Sequence, residues 1–215
     1  MKKLFIYILE LLLPQSKILK EIDALTPENL KKLTLKNSGN LPKDTTAIFD
    51  YKNLLIKQMI WELKYRGNKK VAHLFAECLY DELAEELSER EIFEAFGKPI
   101  LIPIPLSKTR RAERGFNQCE LVTDLVYSKD GGNFFQYEKN LLVKNKDTVS
   151  QTKKNRSERL ENLSGCFEVS DPEKISGKNI ILFDDVTTTG ATFDEAARAL
   201  RRAGARKILS IALAH

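Results

Sequence analysis

The feature that most constrains the fold is a segment near the carboxyl end, from Ile180 to Thr192. It begins with consecutive apolar residues, which are typical of a strand buried on both faces of a parallel sheet. Two acids and a hydroxyl-rich stretch follow, and then a run with apolar residues at helical spacing as far as Gly204. A further apolar run from Ile208 to Ala212 predicts a second strand. Strand, loop, helix and strand form a βαβ unit, so we expect an α/β fold.

The rest of the chain supplies further helices and strands for this sheet. Apolar spacing predicts helices between Tyr51 and Tyr65 and from about Lys70 to Leu87. Short apolar runs predict strands from Ile100 to Ile104, from Leu141 to Val143 and from Cys166 to Val169. We therefore expect a largely parallel, twisted sheet flanked by helices.

The polar part of the first segment has the composition of a binding site for a ribose phosphate. Backbone N–H groups at a helix start and the positive end of its dipole attract phosphate, and Gly190 lets the backbone approach closely. The adjacent Asp184 and Asp185 can accept hydrogen bonds from two vicinal hydroxyls of a ribose. Ligands of open α/β sheets bind at this end of the strands. The alternative is a pair of ordinary strand-end acids followed by Thr192 as a helix N-cap, but the whole pattern favours the binding site.

This segment resembles the motif with which type I phosphoribosyltransferases bind 5-phosphoribosyl 1-pyrophosphate (PRPP). It is not a Walker loop, because no Gly-Lys-Ser/Thr follows. The resemblance implies that Asp184 and Asp185 are the catalytic acids that hold the ribose hydroxyls. It assigns the 5′-phosphate to the residues that follow, which are Thr188, Thr189, Gly190, Ala191 and Thr192.

A second segment is rich in arginine and follows the strand that ends near Ile104. The residues from Pro103 to Leu106 and from Arg110 to Gln118 look like the signature of ComF-type proteins, which are associated with bacterial competence for DNA uptake. Guanidinium groups bind phosphate oxygens as two-pronged donors. The resemblance assigns the pyrophosphate of PRPP to Arg110, Arg111 and Arg114. A solvated basic turn that leads into a helix is the alternative.

A third stretch, from Lys144 to Asn162, carries six basic against three acidic residues and few apolar anchors. It is similar to a pattern that links two strands in ComF-type proteins. We expect a mobile flap over an anionic ligand, with Lys153, Lys154 and Arg156 as its basic residues. For any single lysine of this stretch, a solvated surface position is the alternative.

The chain divides at about residue 46. Residues 1–46 are predicted to form a small helical or irregular appendage, and residues 47–215 the phosphoribosyltransferase-like domain. Many ComF-type proteins begin with a four-cysteine zinc ribbon, whereas this chain has no cysteine before Cys78. The spacing of Cys78, Cys119 and Cys166 matches no zinc module, so we expect no structural zinc. Functions that depend on the ribbon are therefore not implied here.

The amino terminus carries Lys2 and Lys3 before an apolar run from Leu4 to Leu13. Glu10 interrupts this run, which is far shorter than the roughly 20 apolar residues that a membrane span needs. We expect a helix packed on a partner surface and no stable membrane insertion, with peripheral membrane contact as the alternative. The widely spaced cysteines fit a reducing compartment, so the predicted location is the cytoplasm.

Two functions fit these observations, and the net charge of +5 suits the anionic ligands of both. The first is phosphoribosyl transfer from PRPP with release of pyrophosphate, in which Mg²⁺ is held through PRPP and no protein ligand for it is identified. The second is a non-catalytic, PRPP-responsive protein that handles single-stranded DNA during uptake, with competence helicase machinery as a partner. Aromatic residues near positive charge, such as Phe116 and Tyr65, could stack bases, although core packing is the favoured interpretation. The sequence does not identify an acceptor.

Overall fold

A computed structural model of the chain describes residues 17–34, 41–42, 44–94, 96–145 and 165–215. The strands in this part of the chain are β1 (Thr45–Phe49), β2 (Ile100–Pro103), β3 (Gln136–Tyr137), β4 (Leu142–Lys144), β5 (Phe167–Val169), β6 (Asn179–Val186) and β7 (Lys207–Ala214). Five of them form one sheet in the order β1-β7-β6-β2-β3. All neighbours in this sheet are parallel, which confirms the predicted α/β class.

The structure differs from the predicted strands in three respects. Strand β1 was not predicted, and it pairs with β7 at one edge of the sheet. Strand β3, also not predicted, pairs with β2 at the other edge. Strands β4 and β5 were predicted, but they pair with each other in a separate antiparallel sheet. The segment between them, residues 146–164, includes Lys153, Lys154 and Arg156 and lies outside the described residues.

Helices connect the strands and cover the sheet. Those of the described residues are α1 (Lys17–Ala24), α2 (Pro27–Lys31), α3 (Leu54–Arg66), α4 (Lys69–Glu94), α5 (Lys108–Arg114), α6 (Gln118–Asp130), α7 (Pro172–Ile175) and α8 (Ala191–Arg202). The two helices predicted before β2 are α3 and α4. Helix α4 runs beyond the predicted end at Leu87, because Glu and Arg are good helix formers and need no apolar stripe to continue a helix.

The core consists of two apolar layers on opposite faces of the sheet. Side chains alternate between the faces of a strand. In β6, Ile181 and Phe183 therefore belong to a cluster with α3, α4 and α6. Ile180 and Leu182 belong to a second cluster with α8 and the β4–β5 pair. Strand β6 therefore contributes side chains to both layers.

The described part of the appendage packs on the first of these layers. Ile22 of α1 and Leu30 of α2 are fully buried in the cluster that contains α3 and α4. Thr34 forms an isolated antiparallel bridge with Phe49 of β1. The apolar run from Leu4 to Leu13 lies outside the described residues. Within the part of the chain that is described, no helix is long and apolar enough to cross a membrane.

Candidate functional site

Both acids of the first segment lie within strand β6. The sequence predicted a strand that ends at Phe183, but the ladder to β7 continues through Asp184, paired with Ala212, to Val186. Because β7 extends this far, the acids have strand geometry and do not belong to a loop. The side chain of Asp185 is only 6% exposed, and Asp184 is partly buried.

The residues after β6 turn directly into helix α8. Gly190 occupies the N-cap position with a φ of 77°, and no side chain caps this helix start, so Thr192 is a first-turn residue rather than the cap. The first N–H groups of a helix have no intrahelical partner, so they can donate to an anion. A Cβ atom on Gly190 would lie 2.9 Å from Cγ of Pro42. The turn therefore needs glycine both for its dihedral angles and for its close packing.

The arginine segment forms the short helix α5. Ser107 caps its start by accepting a hydrogen bond from the backbone of Arg110, and Gly115 ends it in the left-handed conformation. The guanidinium group of Arg114 donates to Gln118 at 2.8 Å. Arg111 points elsewhere, because its Nη1 atom pairs with Glu120 at 2.6 Å and its side chain is half exposed.

Strand β6, helix α5 and the start of α8 surround one cavity of about 180 Å³. Of the residues assigned from the sequence, it brings together Asp184, Asp185, Thr192, Arg110 and Arg114. The remaining lining residues are Lys64, Ile104, Pro105, Leu106, Ser107, Gln118, Lys144 and Val186. We call this cavity the cleft.

Several assigned residues do not line the cleft. Arg111 lies outside it, so the structure brings only two of the three arginines to the expected pyrophosphate side. Thr188 is exposed and Thr189 is partly buried, whereas Gly190 and Ala191 are buried in the turn that leads into α8. Gly190 and Ala191 can meet a phosphate only through their backbone, whereas Thr188 and Thr189 also carry hydroxyl groups.

The sequence did not single out Lys64, which reaches the cleft from helix α3. Its Nζ atom lies 3.1 Å from Oδ2 of Asp185, and its side chain is 21% exposed. A lysine in the last turn of a helix is ordinary, because cations are favourable near the negative end of the helix dipole. Nothing local in the sequence therefore indicated that Lys64 faces the acids.

The acids, Lys64 and a buried thiol form an electrostatic cluster. Burial raises the pKa of Asp184 to about 7, and the neighbouring Asp185 carboxylate adds to this rise. The Lys64 ammonium, the backbone N–H of Asp185 and the thiol of Cys119 oppose it. Burial lowers the pKa of Lys64, but the charges of Asp185 and Asp184 outweigh that effect and leave this pKa above its usual value. Burial also raises the pKa of Cys119 well above its ordinary value, so this thiol is protonated.

The described residues contain no group of three or more His, Cys, Asp or Glu side chains placed to hold a metal ion. The cysteines are buried and unpaired by disulfides. At the cleft, the acid pair supplies carboxylate oxygens, and Oδ2 of Asp185 already faces Lys64.

Comparison with known proteins agrees with this geometry. A family model described as "Phosphoribosyl transferase domain" matches residues 135–215, which contain β6, the turn and α8. The parallel sheet with an acid pair at the end of a central strand, followed by a glycine turn into a helix, defines a type I phosphoribosyltransferase-like domain.

Two curated relatives carry the name "Competence protein ComFC". The chain is 30% identical to the one from Bacillus subtilis over 76% of this chain and 60% of the relative. It is 34% identical to the one from Streptococcus pneumoniae over 78% of this chain and 66% of the relative. The chain thus spans less than two thirds of the length of each of these relatives. Together with the two sequence segments, these matches show that the chain belongs to the ComF-type, phosphoribosyltransferase-like family.

Among solved structures, the glutamine PRPP amidotransferase from B. subtilis, complexed with ADP and GMP, is similar at a TM-score of 0.39. It is 15% identical, over 71% of this chain and 30% of the amidotransferase. A likeness this low carries no argument about the site.

Proposed function

We propose that the cleft binds PRPP and that the chain transfers its phosphoribosyl group to an acceptor. The observation that carries the proposal is the arrangement of three kinds of group around one cavity: the acid pair, the uncapped start of α8, and Arg110 with Arg114. Carboxylates suit the ribose hydroxyls, a helix start suits the 5′-phosphate, and guanidinium groups suit the pyrophosphate.

The transfer needs little covalent chemistry from the protein. The bond between C1 of the ribose and the pyrophosphate oxygen breaks, and its electron pair leaves with pyrophosphate. An electron pair of the acceptor forms the new bond to C1. Arg110 and Arg114 would stabilise the charge that develops on the leaving group, since preorganised donors act most strongly where charge develops.

The residues of the cleft fit a magnesium ion that is held chiefly by PRPP. Mg²⁺ commonly binds one or two carboxylates together with substrate phosphates and keeps several waters. The described residues form no closed protein cage in the cleft, so the ion would be held through PRPP. When bound, Mg²⁺ supplies positive charge to the pyrophosphate.

A second candidate function, the handling of single-stranded DNA, is favoured by a different surface. Trp61 and Tyr65 on α3 are 40% and 58% exposed, and their ring centroids are 5.4 Å apart. The guanidinium groups of Arg66 and Arg114 lie 5.0 and 5.2 Å from these rings. Exposed aromatic rings beside arginines can stack bases without sequence preference. Phe116 does not join them, because its ring packs on Gly67.

Both curated relatives are named competence proteins, and the DNA-handling candidate extends that name to this chain. Competence helicase machinery remains a proposed partner on the ComF-type resemblance of the sequence alone. This candidate requires no turnover of PRPP.

Calorimetric titration of the unaltered protein tests the first proposal. We expect saturable binding of PRPP that strengthens with Mg²⁺, and much weaker binding of ribose without phosphate. Absence of PRPP binding with and without Mg²⁺ would remove the proposal.

Turnover separates the two candidates. Release of pyrophosphate from PRPP in the presence of one of a series of acceptors is expected of a transferase. Binding of PRPP without release for every acceptor, together with tight binding of a short single strand, would instead favour the DNA-handling protein.

A further inference from the structure

Lys64 lies in neither of the two sequence segments that carry the acid pair and the arginines. Among the described residues, it nevertheless forms an ion pair with one of these acids. Its Nζ atom is 3.1 Å from Oδ2 of Asp185, and both side chains are mostly buried. Lys64 and both acids line the same cleft. The burial of Lys64 and its ion pair distinguish it from a lysine that is merely solvated at the end of a helix.

The last turn of α3 is held against the arginine segment by two contacts. Gly67 ends the helix with a φ of 59°, and a Cβ atom there would lie 3.1 Å from the ring of Phe116. Two residues earlier, the ring of Tyr65 lies under the guanidinium group of Arg114 at 5.2 Å. Lys64 is therefore placed in the cleft by the packing of its helix and not only by its own flexible chain.

The electrostatics of the cleft require a counter-charge at this place. Two adjacent carboxylates in a mostly buried site repel one another, and an opposite charge within about 4–6 Å favours their ionised forms. Helix α3 contributes Lys64 to this site, β6 both acids, and α6 the neutral thiol of Cys119. The other charged groups that line the cleft are Arg110, Arg114 and Lys144.

We propose that Lys64 is a positioning residue of the cleft: its ammonium group holds Asp185 in an ion pair, and Asp184 is thereby left as the carboxylate that meets the ligand. This inference rests on the proposed function for the identity of that ligand, which would present ribose hydroxyls. The division of roles between the acids follows from this structure alone, because Asp185 already has a cationic partner and Asp184 accepts only from its neighbour's N–H and from a thiol among the hydrogen bonds found.

The first test uses the protein without ligand. The carboxyl of Asp184 is titrated by ¹³C NMR in the unaltered protein, in Lys64→Met and in Lys57→Met, with Asp184→Asn to assign the signal. Lys57 is exposed on the same helix and does not line the cleft, so it controls for the loss of one charge. We expect the Asp184 midpoint to rise by at least about one pH unit in Lys64→Met and to stay unchanged in Lys57→Met.

Two further variants keep the test decisive if Lys64→Met folds poorly. Lys64→Arg keeps the charge and is expected to leave the midpoint nearly unchanged. Asp185→Asn removes the like charge and frees Lys64 to face Asp184, so the midpoint is expected to fall. An unchanged midpoint in both Lys64→Met and Asp185→Asn, each folded, would overturn the inference.

The second test measures PRPP affinity with Mg²⁺. A rise of one unit from a midpoint near 7 lowers the ionised fraction at pH 7 by about fivefold, so the affinity of Lys64→Met should fall by about that factor. The affinity should recover at pH 9 and in Lys64→Arg. If the unaltered protein does not bind PRPP, the proposed function fails, while the titration without ligand still decides the role of Lys64.

Discussion

The two walls of the cleft are built in different ways. One side is the contiguous segment from the end of β6 into α8, of which Val186 and Thr192 line the cleft while the turn between them adjoins it. We call this segment the backbone wall. The other wall consists of side chains from α3 and α5, namely Lys64, Arg110 and Arg114. The backbone wall depends on the conformation of a few residues. The side-chain wall depends on how separate helices pack, so substitutions there can change ligand preference without unfolding the turn.

The strongest contrast is expected from the side-chain wall. The double variant Arg110→Ala/Arg114→Ala removes two charged donors from the pyrophosphate side. Its affinity for PRPP should fall by at least about 3 kcal/mol, since each of the two lost hydrogen bonds to a charged group contributes about 1.5–3 kcal/mol. Ribose 5-phosphate has no pyrophosphate, so its affinity should change by less than about 1 kcal/mol. Calorimetry with both ligands measures the difference.

Arg111→Ala is the matched control for that variant. Arg111 is on the same helix but pairs with Glu120 outside the cleft, and exposed ion pairs contribute only about 0–1 kcal/mol. Its affinity for PRPP should be nearly unchanged. An equal loss of affinity for PRPP and for ribose 5-phosphate in the double variant would mean that α5 does not bind the pyrophosphate.

A change in the backbone wall should affect both ligands alike. Gly190→Ala places a Cβ atom 2.9 Å from Pro42 at a φ of 77°. Gly177→Ala has a similar φ of 72° but meets no atom within 4 Å, so it controls for backbone strain. We expect Gly190→Ala to lose about 1–3 kcal/mol more free energy of unfolding than Gly177→Ala, the usual range for overpacking.

Chemical denaturation measures the free energy of unfolding of the two glycine variants, and calorimetry measures their affinity for PRPP and ribose 5-phosphate. Folded Gly190→Ala should lose affinity for PRPP and for ribose 5-phosphate by the same factor. A loss confined to PRPP would contradict the assignment of this turn to the 5′-phosphate.

A smaller effect is expected from pH. The pKa of Asp184 is near 7 in the folded protein and 3.8 ordinarily, so its ionised fraction rises between pH 6 and 8. If only the carboxylate binds the ribose, PRPP affinity should rise by about tenfold, or 1.4 kcal/mol, over this range. The phosphates of PRPP also titrate, and Asp184→Asn isolates that contribution. An identical pH profile in the unaltered protein and Asp184→Asn would exclude Asp184 as the titrating group.

The contribution of Asp184 to the free energy of unfolding changes with pH in the opposite direction to PRPP affinity. Between pH 4 and 7 the folded protein holds the Asp184 proton more tightly than the unfolded chain does. The contribution of this group to the free energy of unfolding is therefore present at low pH and is lost as pH rises towards 7.

The backbone wall was predictable because its parts are adjacent in sequence. The apolar run, the acids, the glycine and the helix all lie between Ile180 and Gly204. Strand β1 was missed for the opposite reason. Its residues Thr45 to Phe49 are a short and only partly apolar run, and their strand conformation depends on pairing with β7.

The side-chain wall was predictable only in part. Arg110 and Arg114 are four residues apart and Arg111 and Arg114 three, so both pairs are neighbours on helix α5 and spacing alone does not separate Arg111. The ion pair with Glu120 draws Arg111 away from the cleft. All three arginines were predicted to bind together because they lie within five consecutive residues. Lys64 was missed because it is far from Asp185 in sequence and only the packing of α3 brings the two together.

The central claim is that the acid pair forms the ribose site for PRPP, and the double variant Asp184→Asn/Asp185→Asn tests it most directly. Asn keeps nearly the same size but removes the charged acceptors. The control is Glu85→Gln/Glu89→Gln, which makes the same charge change at two exposed positions of α4. Calorimetry with PRPP and Mg²⁺ should show a loss of at least about 1.5–3 kcal/mol in the folded acid-pair variant and almost none in the control. Unchanged PRPP affinity in a folded Asp184→Asn/Asp185→Asn protein would contradict the account.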